Sequence, residues 1–384
     1  MKALTLLPVL IMTLFKLNIM KQFFLNSILL FVVCLFSITA NAQTVKLLNS
    51  GSKASFRGLS VVNDNIVWVS GSAGTVGRSV DGGENWTWMT VKGFEKTDFR
   101  DIEAFDDKAA IIMGIASPAY ILKTTDGGNI WKLMYENKDT SMFLDAMEFW
   151  DEKNGIVIGD PINNKIFIAR TFDGGNSWKA VPDIQRRIFN SSSTSVTGGG
   201  TVWHTSSITV TMKNVADVDK GEACFASSGT NIRVISKNEV SFVTGGLSSY
   251  LYIQDRKINL PIIQGKESTG ANSMAAKNKK TLIVVGGDFT TKDSTTKNCV
   301  ITLDGGETFT TPVVGPHGYR SCVEYLGKKN WISCGLNGVD YSTDEAQHWA
   351  WISKDSFHAV RKAKKGKAVY FSGGGGRVGK LVWE

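Results

Sequence analysis

The chain is poor in the side chains that carry metal and redox chemistry. Its 384 residues include five cysteines and four histidines. No two cysteines form C-x-x-C, and the spacings of Cys224, Cys299, Cys322 and Cys334 fit no zinc pattern. His204, His317, His348 and His358 are scattered, so neither a metal site nor a cofactor is expected. Gly374, Gly376 and Gly379 do spell G-x-G-x-x-G, but only residues 380–384 follow. A dinucleotide fingerprint needs a helix after the glycines and an acidic residue about 20 positions on, which excludes that reading. Dense positive charge is also lacking. The one basic run, Arg361-Lys362-Ala363-Lys364-Lys365, reads as a solvated hairpin tip, and no nucleic-acid partner is needed to explain it.

Long apolar runs are confined to the first 42 residues. Met20-Lys21-Gln22 opens a charged start, an apolar stretch runs from Phe23 to Phe36, and Ala40-Asn41-Ala42 gives a small-x-small cleavage pattern. The expectation is a signal peptide over residues 1–42, with the true start at Met20 and the mature chain beginning at Gln43. A membrane anchor is the alternative, although the run is shorter than the roughly 20 residues a spanning helix needs. No later segment could span a bilayer. Loss of Lys2, Lys16 and Lys21 with no acid takes the net charge from +8 to +5. Export puts the thiols in an oxidising compartment. Cys322 and Cys334 then either face each other across a hairpin as a disulfide or stay as buried thiols.

What the sequence has in abundance is a repeat. SVDGGENW (79–86), TTDGGNIW (124–131), TFDGGNSW (171–178) and TLDGGETF (302–309) align, with STDEAQHW (342–349) as a degenerate fifth copy. These resemble the Asp-box, S/T-x-D-x-G-x-T-W. Asp81, Asp126, Asp173, Asp304 and Asp344 would accept turn amides, while the glycines supply positive φ. Trp86, Trp131, Trp178 and Trp349 would pack on the sheet as apolar plugs. Each box satisfies itself within one turn, so a structural role is favoured over calcium binding or catalysis. Three of the four intervals between the aspartates are 40 to 47 residues, and the jump of 131 from Asp173 to Asp304 spans a fourth unit, around Ile232 to Ile262, that lacks a box; with four short strands per unit this is the signature of a β-propeller.

Inner strands open at or near Phe56, Phe99, Phe143, Cys224, Asn272, Arg320 and His358, giving seven units. SGSAGTVGRSV (70–80) in the first unit aligns with SGGGGRVGKLV (372–382) in the last, so the glycines of the tail are loop punctuation. The last unit lacks an outer strand. Residues 45–49 are expected to supply it and close the ring, leaving no raw edge. The domain is therefore read as 43–384, all-β and seven-bladed. A Ser/Thr/Gly-rich insertion at about 185–220 reads as a flexible loop or, alternatively, a flap over the channel.

Function in a propeller concentrates where loops converge on the channel mouth. Phe56-Arg57, Phe99-Arg100 and Tyr319-Arg320 repeat an aromatic–Arg pair, and Arg suits carboxylate-bearing partners. Asp101, Glu103, Asp145, Glu148, Asp160, Glu222, Glu267 and Asp288 lie near by in sequence. They form either a salt-bridged wall or a binding site.

The phrases SFRGLSVV, DFRDIEAF, IARTFDGGNSW and GEACFASSGTNIR resemble the photosystem II stability and assembly factor-like Asp-box propellers, specifically their exported bacterial relatives. The likeness runs from about Val45 to Glu384, the insertion excepted. It implies a non-enzymatic assembly or protein-interaction factor whose arginine patch contacts a protein partner. Here that patch would be Arg57, Arg100 and Arg320, with Glu222 and Glu267 beside it. The alternative is a glycoside hydrolase or sugar-binding propeller, with paired carboxylates from Asp101, Asp145, Asp160 and Asp288 and weak sugar platforms in Trp150 and Tyr250. A polysaccharide partner belongs to that alternative. The F/Y-R-I-P motif of sialidases is absent, since Gly58-Leu59 follows Phe56-Arg57.

Overall fold

The structure is a computed structural model that describes residues 20–22, 43–181, 191–197, 200–206, 217–237 and 239–383. The expected leader, 1–42, lies almost wholly outside them. No helix among the described residues is long and apolar enough to cross a membrane.

From Gln43 onward the described chain is β-structure arranged as a seven-bladed propeller. Blades one to six span residues 56–90, 99–137, 144–180, 232–259, 269–302 and 322–353, each antiparallel from the inside outward. Blade seven takes residues 359–383, and Gln43–Leu48 pairs beside Val378–Trp383 as its outermost strand. The ring is closed by the N-terminal strand, as the missing outer strand of the last unit required. Blade five keeps three full strands, and the single bridge Ile301↔Thr310 stands in for its fourth.

The second strand of each blade is largely buried and accordingly rich in apolar residues, as in VWVSG (67–71) and AIIMG (110–114). Apolar side chains collect into seven clusters, one in each seam between neighbouring blades. Every repeated turn contributes to a seam. Trp131 of blade two meets Trp68 of blade one edge-on, with centroids 6.5 Å apart. Trp178 and Trp349 enter the seams with blades two and five, Trp86 the seam with blade seven, and Phe309 the seam with blade four.

The turns close on themselves. Thr124 Oγ1 donates to Asp126 Oδ1 (2.8 Å) and accepts from Gly128 N (3.0 Å), while Ile130 N donates to Asp126 Oδ1 (3.0 Å). The same set recurs at Asp81, Asp173 and Asp304. In the degenerate copy Asp344 still binds Ser342 Oγ and His348 N. There Glu345 and Ala346 occupy the left-handed region (φ 61° and 63°) where the other turns use glycine.

Within the insertion, Ser191–Thr197 pairs with Gly200–Ser206 as an antiparallel hairpin. Alternating Thr and Val positions suit a strand. The basic run 361–365 leaves the inner strand of blade seven and enters its hairpin turn, where Lys364 and Lys365 are exposed. Lys364 N and Lys365 N donate to Val61 O and Val62 O (both 3.0 Å), and Lys364 Nζ bonds Glu103 (2.5 Å). It ties blade seven to blades one and two.

Deleting residues 43–50 removes the outer strand of blade seven together with Ser50, whose hydroxyl bonds Gly376 O and whose carbonyl accepts from Trp88 Nε1. The expected outcome is a fall in Tm of roughly 5 °C or more for the whole domain, read by circular dichroism. An unchanged Tm would contradict closure by this strand.

Candidate functional site at the channel mouth

The mouth is built by a device that recurs in the inner strands. Register shifts fall between Phe56 and Gly58, Phe99 and Asp101, Leu144 and Ala146, and Ala271 and Ser273. The extra residue in each bulge is Arg57, Arg100, Asp145 or Asn272. A bulge re-aims its side chain, so four blades present the same position at the upper end of the channel, where the inner strands begin. Ser321 and His358 precede the inner strands of blades six and seven.

Arg320 does not belong to this set, which corrects the three-arginine patch. The backbone of Gly71 packs against Ser55 O and Phe56, whereas that of Gly335 packs against Tyr319 O and Arg320. Arg320 thus takes the place of Phe56, one residue out of step with Arg57. A one-residue slip sends a side chain to the other face. Arg320 is wholly buried, donates from Nε to Asp340 (2.6 Å), bonds the same carboxylate through Nη2, and reaches Asn337. It is a structural ion pair.

The channel is closed midway by the segment CFASSGT, residues 224–230, which precedes the inner strand of blade four. Each of the other six blades touches it. Arg57 of blade one donates to Ser227 O (3.3 Å), and Asp160 of blade three accepts from Cys224 N (2.9 Å). In blade five Asn272 accepts from Ser227 Oγ (2.6 Å) and Ser273 from Thr230 Oγ1 (2.6 Å). Ser228 Oγ donates to Ser321 O beside blade six (2.7 Å), and Arg361 of blade seven reaches Ser228 O (2.8 Å) and Gly229 O (3.2 Å). Gly229 (φ 63°) lies so near Asp101 of blade two that a Cβ would come within 2.4 Å of its carboxyl. Glycine is required there on both counts. Blade four accordingly begins at Ile232 rather than near Cys224.

Above this plug lies a blind cavity of about 410 Å³. Phe143, Phe225, Phe289 and Tyr319 form its apolar wall, and Arg57, Arg100, His358 and Asp160 supply charge and polarity. Arg100 is paired with Asp98 (2.8 Å) and sits 5.9 Å over the Phe143 ring. Burial, then the neighbouring Arg100, lowers the pKa of Arg57. Burial and the charges of Arg57, Arg100 and Arg377 push His358 down to about 3, so it is neutral at physiological pH. The mouth is electropositive with an aromatic wall.

The four carboxylates proposed for hydrolysis do not gather in it. Asp160 alone among them lines the cavity, its pKa raised by burial. Asp145 is wholly buried, with no hydrogen-bond partner of good geometry. Burial and then Asp160 raise its pKa well above the carboxylate range, and the nearby Ala226 amide offsets this only in part. Asp101 is buried below the plug and accepts from Ile102 N and Met147 N (2.9 and 2.8 Å). Asp288 is held by its own loop. Burial works against its charge, but the Thr290 hydroxyl (2.6 Å) and amide (2.9 Å) keep its pKa low.

Glu222 is likewise interior, accepting from the hydroxyls of Thr244 and Tyr252 and pairing with Lys257 (2.9 Å). Glu267 is exposed on the loop before blade five. Tyr250 is engaged with Asp219 and Lys257, and Trp150 lines a second cavity of about 450 Å³ below the plug. That lower cavity holds Asp101, Glu103, Glu148 and Glu324 opposite Arg233, Arg361 and Lys364, and sequence reasoning did not locate it. Arg233 bridges Glu148 and Glu324 at 3.5 and 2.8 Å. Among the described residues no cluster of His, Cys, Asp or Glu is arranged to hold a metal ion.

The class defined by this architecture is the seven-bladed β-propeller with a plugged channel. No family model matches the chain, and no curated protein matches it by sequence. Among solved structures it is similar to YCF48 bound to a D1 peptide, at 14% identity and TM-score 0.57, covering 90% of this chain and 97% of that one. YCF48 from Cyanidioschyzon merolae gives 14% identity and TM-score 0.56, covering 88% and 98% of the two chains. The WD40 propeller domain of Doa1 gives 14% and 0.56, covering 90% and 98%. What is shared with these proteins is the fold.

Asp101 makes the channel pH-sensitive. Burial raises its pKa to about 7, against the pull of Arg361 and two amides. An acid raised above its unfolded value adds stability below the unfolded pKa and loses it as pH rises through the folded one. Wild-type unfolding free energy is therefore expected to fall between about pH 4 and 8, with Asp101 contributing on the order of a few kcal/mol. Urea unfolding of Asp101→Asn across this window should show a visibly shallower slope; parallel curves would refute the assignment.

Proposed function

We propose that the chain is an exported, non-enzymatic interaction factor that holds a peptide segment of a protein partner in the upper mouth. The observation that carries this reading is the blind, aromatic-walled cavity with Arg57 and Arg100 at its rim and the plug as its floor. Guanidinium groups pair with carboxylates in fork geometry, and aromatic walls hold apolar side chains, so an extended segment carrying both chemistries suits the site. A ligand cannot thread through a closed channel and must enter and leave by one face.

The similarity to a propeller whose structure was determined with a peptide bound supports a peptide as ligand. The Asp-box turns support placement in the exported branch of the assembly-factor-like propellers, and the leader motif supports processing before Gln43. Scattering of the four aspartates between mouth, plug and loop gives the hydrolase alternative no cleft of its own.

The test is crosslinking capture from the native envelope with wild type and with Arg57→Ala/Arg100→Ala, alongside the intact mass of the processed protein. The expected result is a mature chain starting at Gln43 and one partner crosslinked to the upper mouth, lost or weakened at least about tenfold in a double variant of unchanged Tm. Equal capture by both proteins, with crosslinks away from this cavity, would overturn the reading.

A further inference from the structure

Cys322 opens the inner strand of blade six, and Cys334 lies directly opposite it in the second strand. Residues directly opposite in an antiparallel pair have Cα atoms about 4.5 to 5.5 Å apart, inside the roughly 4.4 to 6.8 Å that a disulfide spans. Both side chains are wholly buried in the seam with blade seven. Both are reduced in this structure.

The surroundings of the two sulfurs differ. Cys322 Sγ accepts from Val360 N (3.3 Å) and from Arg361 Nη1 (3.4 Å). The other end of that guanidinium is fixed by the plug carbonyls of Ser228 and Gly229. Arg361, Arg233 and Glu324 also line the lower cavity, so a small polar molecule there comes up against the group that touches the sulfur.

We propose that Cys322 and Cys334 form a peroxide-reactive dithiol in which Cys322 attacks and Cys334 resolves. Cys322 sulfur, as thiolate, attacks one oxygen of a small hydroperoxide. The S–O bond forms and the O–O bond breaks, and the departing oxygen leaves as water or an alcohol after taking up a proton. The sulfur loses two electrons and the peroxide gains them. The Cys334 thiol then attacks the Cys322 sulfenic acid, the S–S bond forms, the S–O bond breaks, and the hydroxyl leaves as water with the Cys334 proton.

Electrostatics agree with this division of labour. Burial opposes the Cys322 thiolate, but the Cys334 thiol, Arg361, Arg233 and the Val360 amide bring its pKa well below the ordinary thiol value. Burial first, and then the Cys322 charge, pushes Cys334 up. Cys224 and Cys299 are raised by burial and neighbouring carboxylates, so they serve as internal controls.

The experiment treats the mature protein with stoichiometric hydrogen peroxide, followed by thiol titration after unfolding and peptide mass mapping. Two of the four thiols should disappear into a Cys322–Cys334 peptide, with Cys224 and Cys299 still free. Cys334→Ser should leave a dimedone-trappable sulfenic acid on Cys322, and Arg361→Lys should slow the reaction by about tenfold or more. Retention of all four thiols in the wild type overturns the proposal. Loss of Cys224 and Cys299 at the same rate as Cys322 also overturns it.

Discussion

Seven inner strands set around an axis leave a hole lined by their own polar edges, and something must fill or solvate it. In this chain the filling is covalent. The segment CFASSGT lies in the channel and exchanges hydrogen bonds or close contact with all six blades other than its own. Because the partners come from every part of the ring, the segment fixes blades against one another that share no seam. It also divides one channel into two blind cavities of different character. The upper is aromatic with arginines at its rim, and the lower is lined by interleaved acids and bases.

Seams and plug hold the ring at two radii. Toward the outside, each aspartate turn satisfies its own amides and drives its aromatic residue into the seam with the preceding blade, so the repeated motif rivets neighbours together. Toward the axis, the bulges turn Arg57, Arg100, Asp145 and Asn272 inward, and the plug meets two of these residues directly. Carboxyls with raised pKa values, the buried Asp101 and Asp145 and the partly buried Glu148 and Glu324, lie around the plug rather than in the seams. Electrostatic strain is thus concentrated where the two cavities and the dithiol are found.

Blade number and strand order were legible because they depend on local signals repeated along the chain: an Asp-Gly-Gly turn, an apolar second strand and a period near 45 residues. The identity of the outer strand of blade seven followed by subtraction. Register was harder to read. Tyr319-Arg320 looks like Phe56-Arg57 in sequence, yet a one-residue offset puts Arg320 in the core against Asp340. No local signal separates the two. The plug escaped notice for a different reason: Cys224-Phe225 resembles the opening of an inner strand, and the hydrogen bonds of the segment to other blades reach residues 43 to 170 positions away. Only the glycine between Ser228 and Thr230 hinted at a close approach.

Gly229→Ala places a methyl group where the Asp101 carboxyl lies and forces a left-handed backbone on a residue with a side chain. Thermal unfolding of this variant, with amide exchange followed in every blade, tests whether the plug organises the ring. A lowered Tm with protection lost in the inner strands of all seven blades is the predicted result. An unchanged Tm, or loss confined to residues next to 229, would show that the ring stands without its plug.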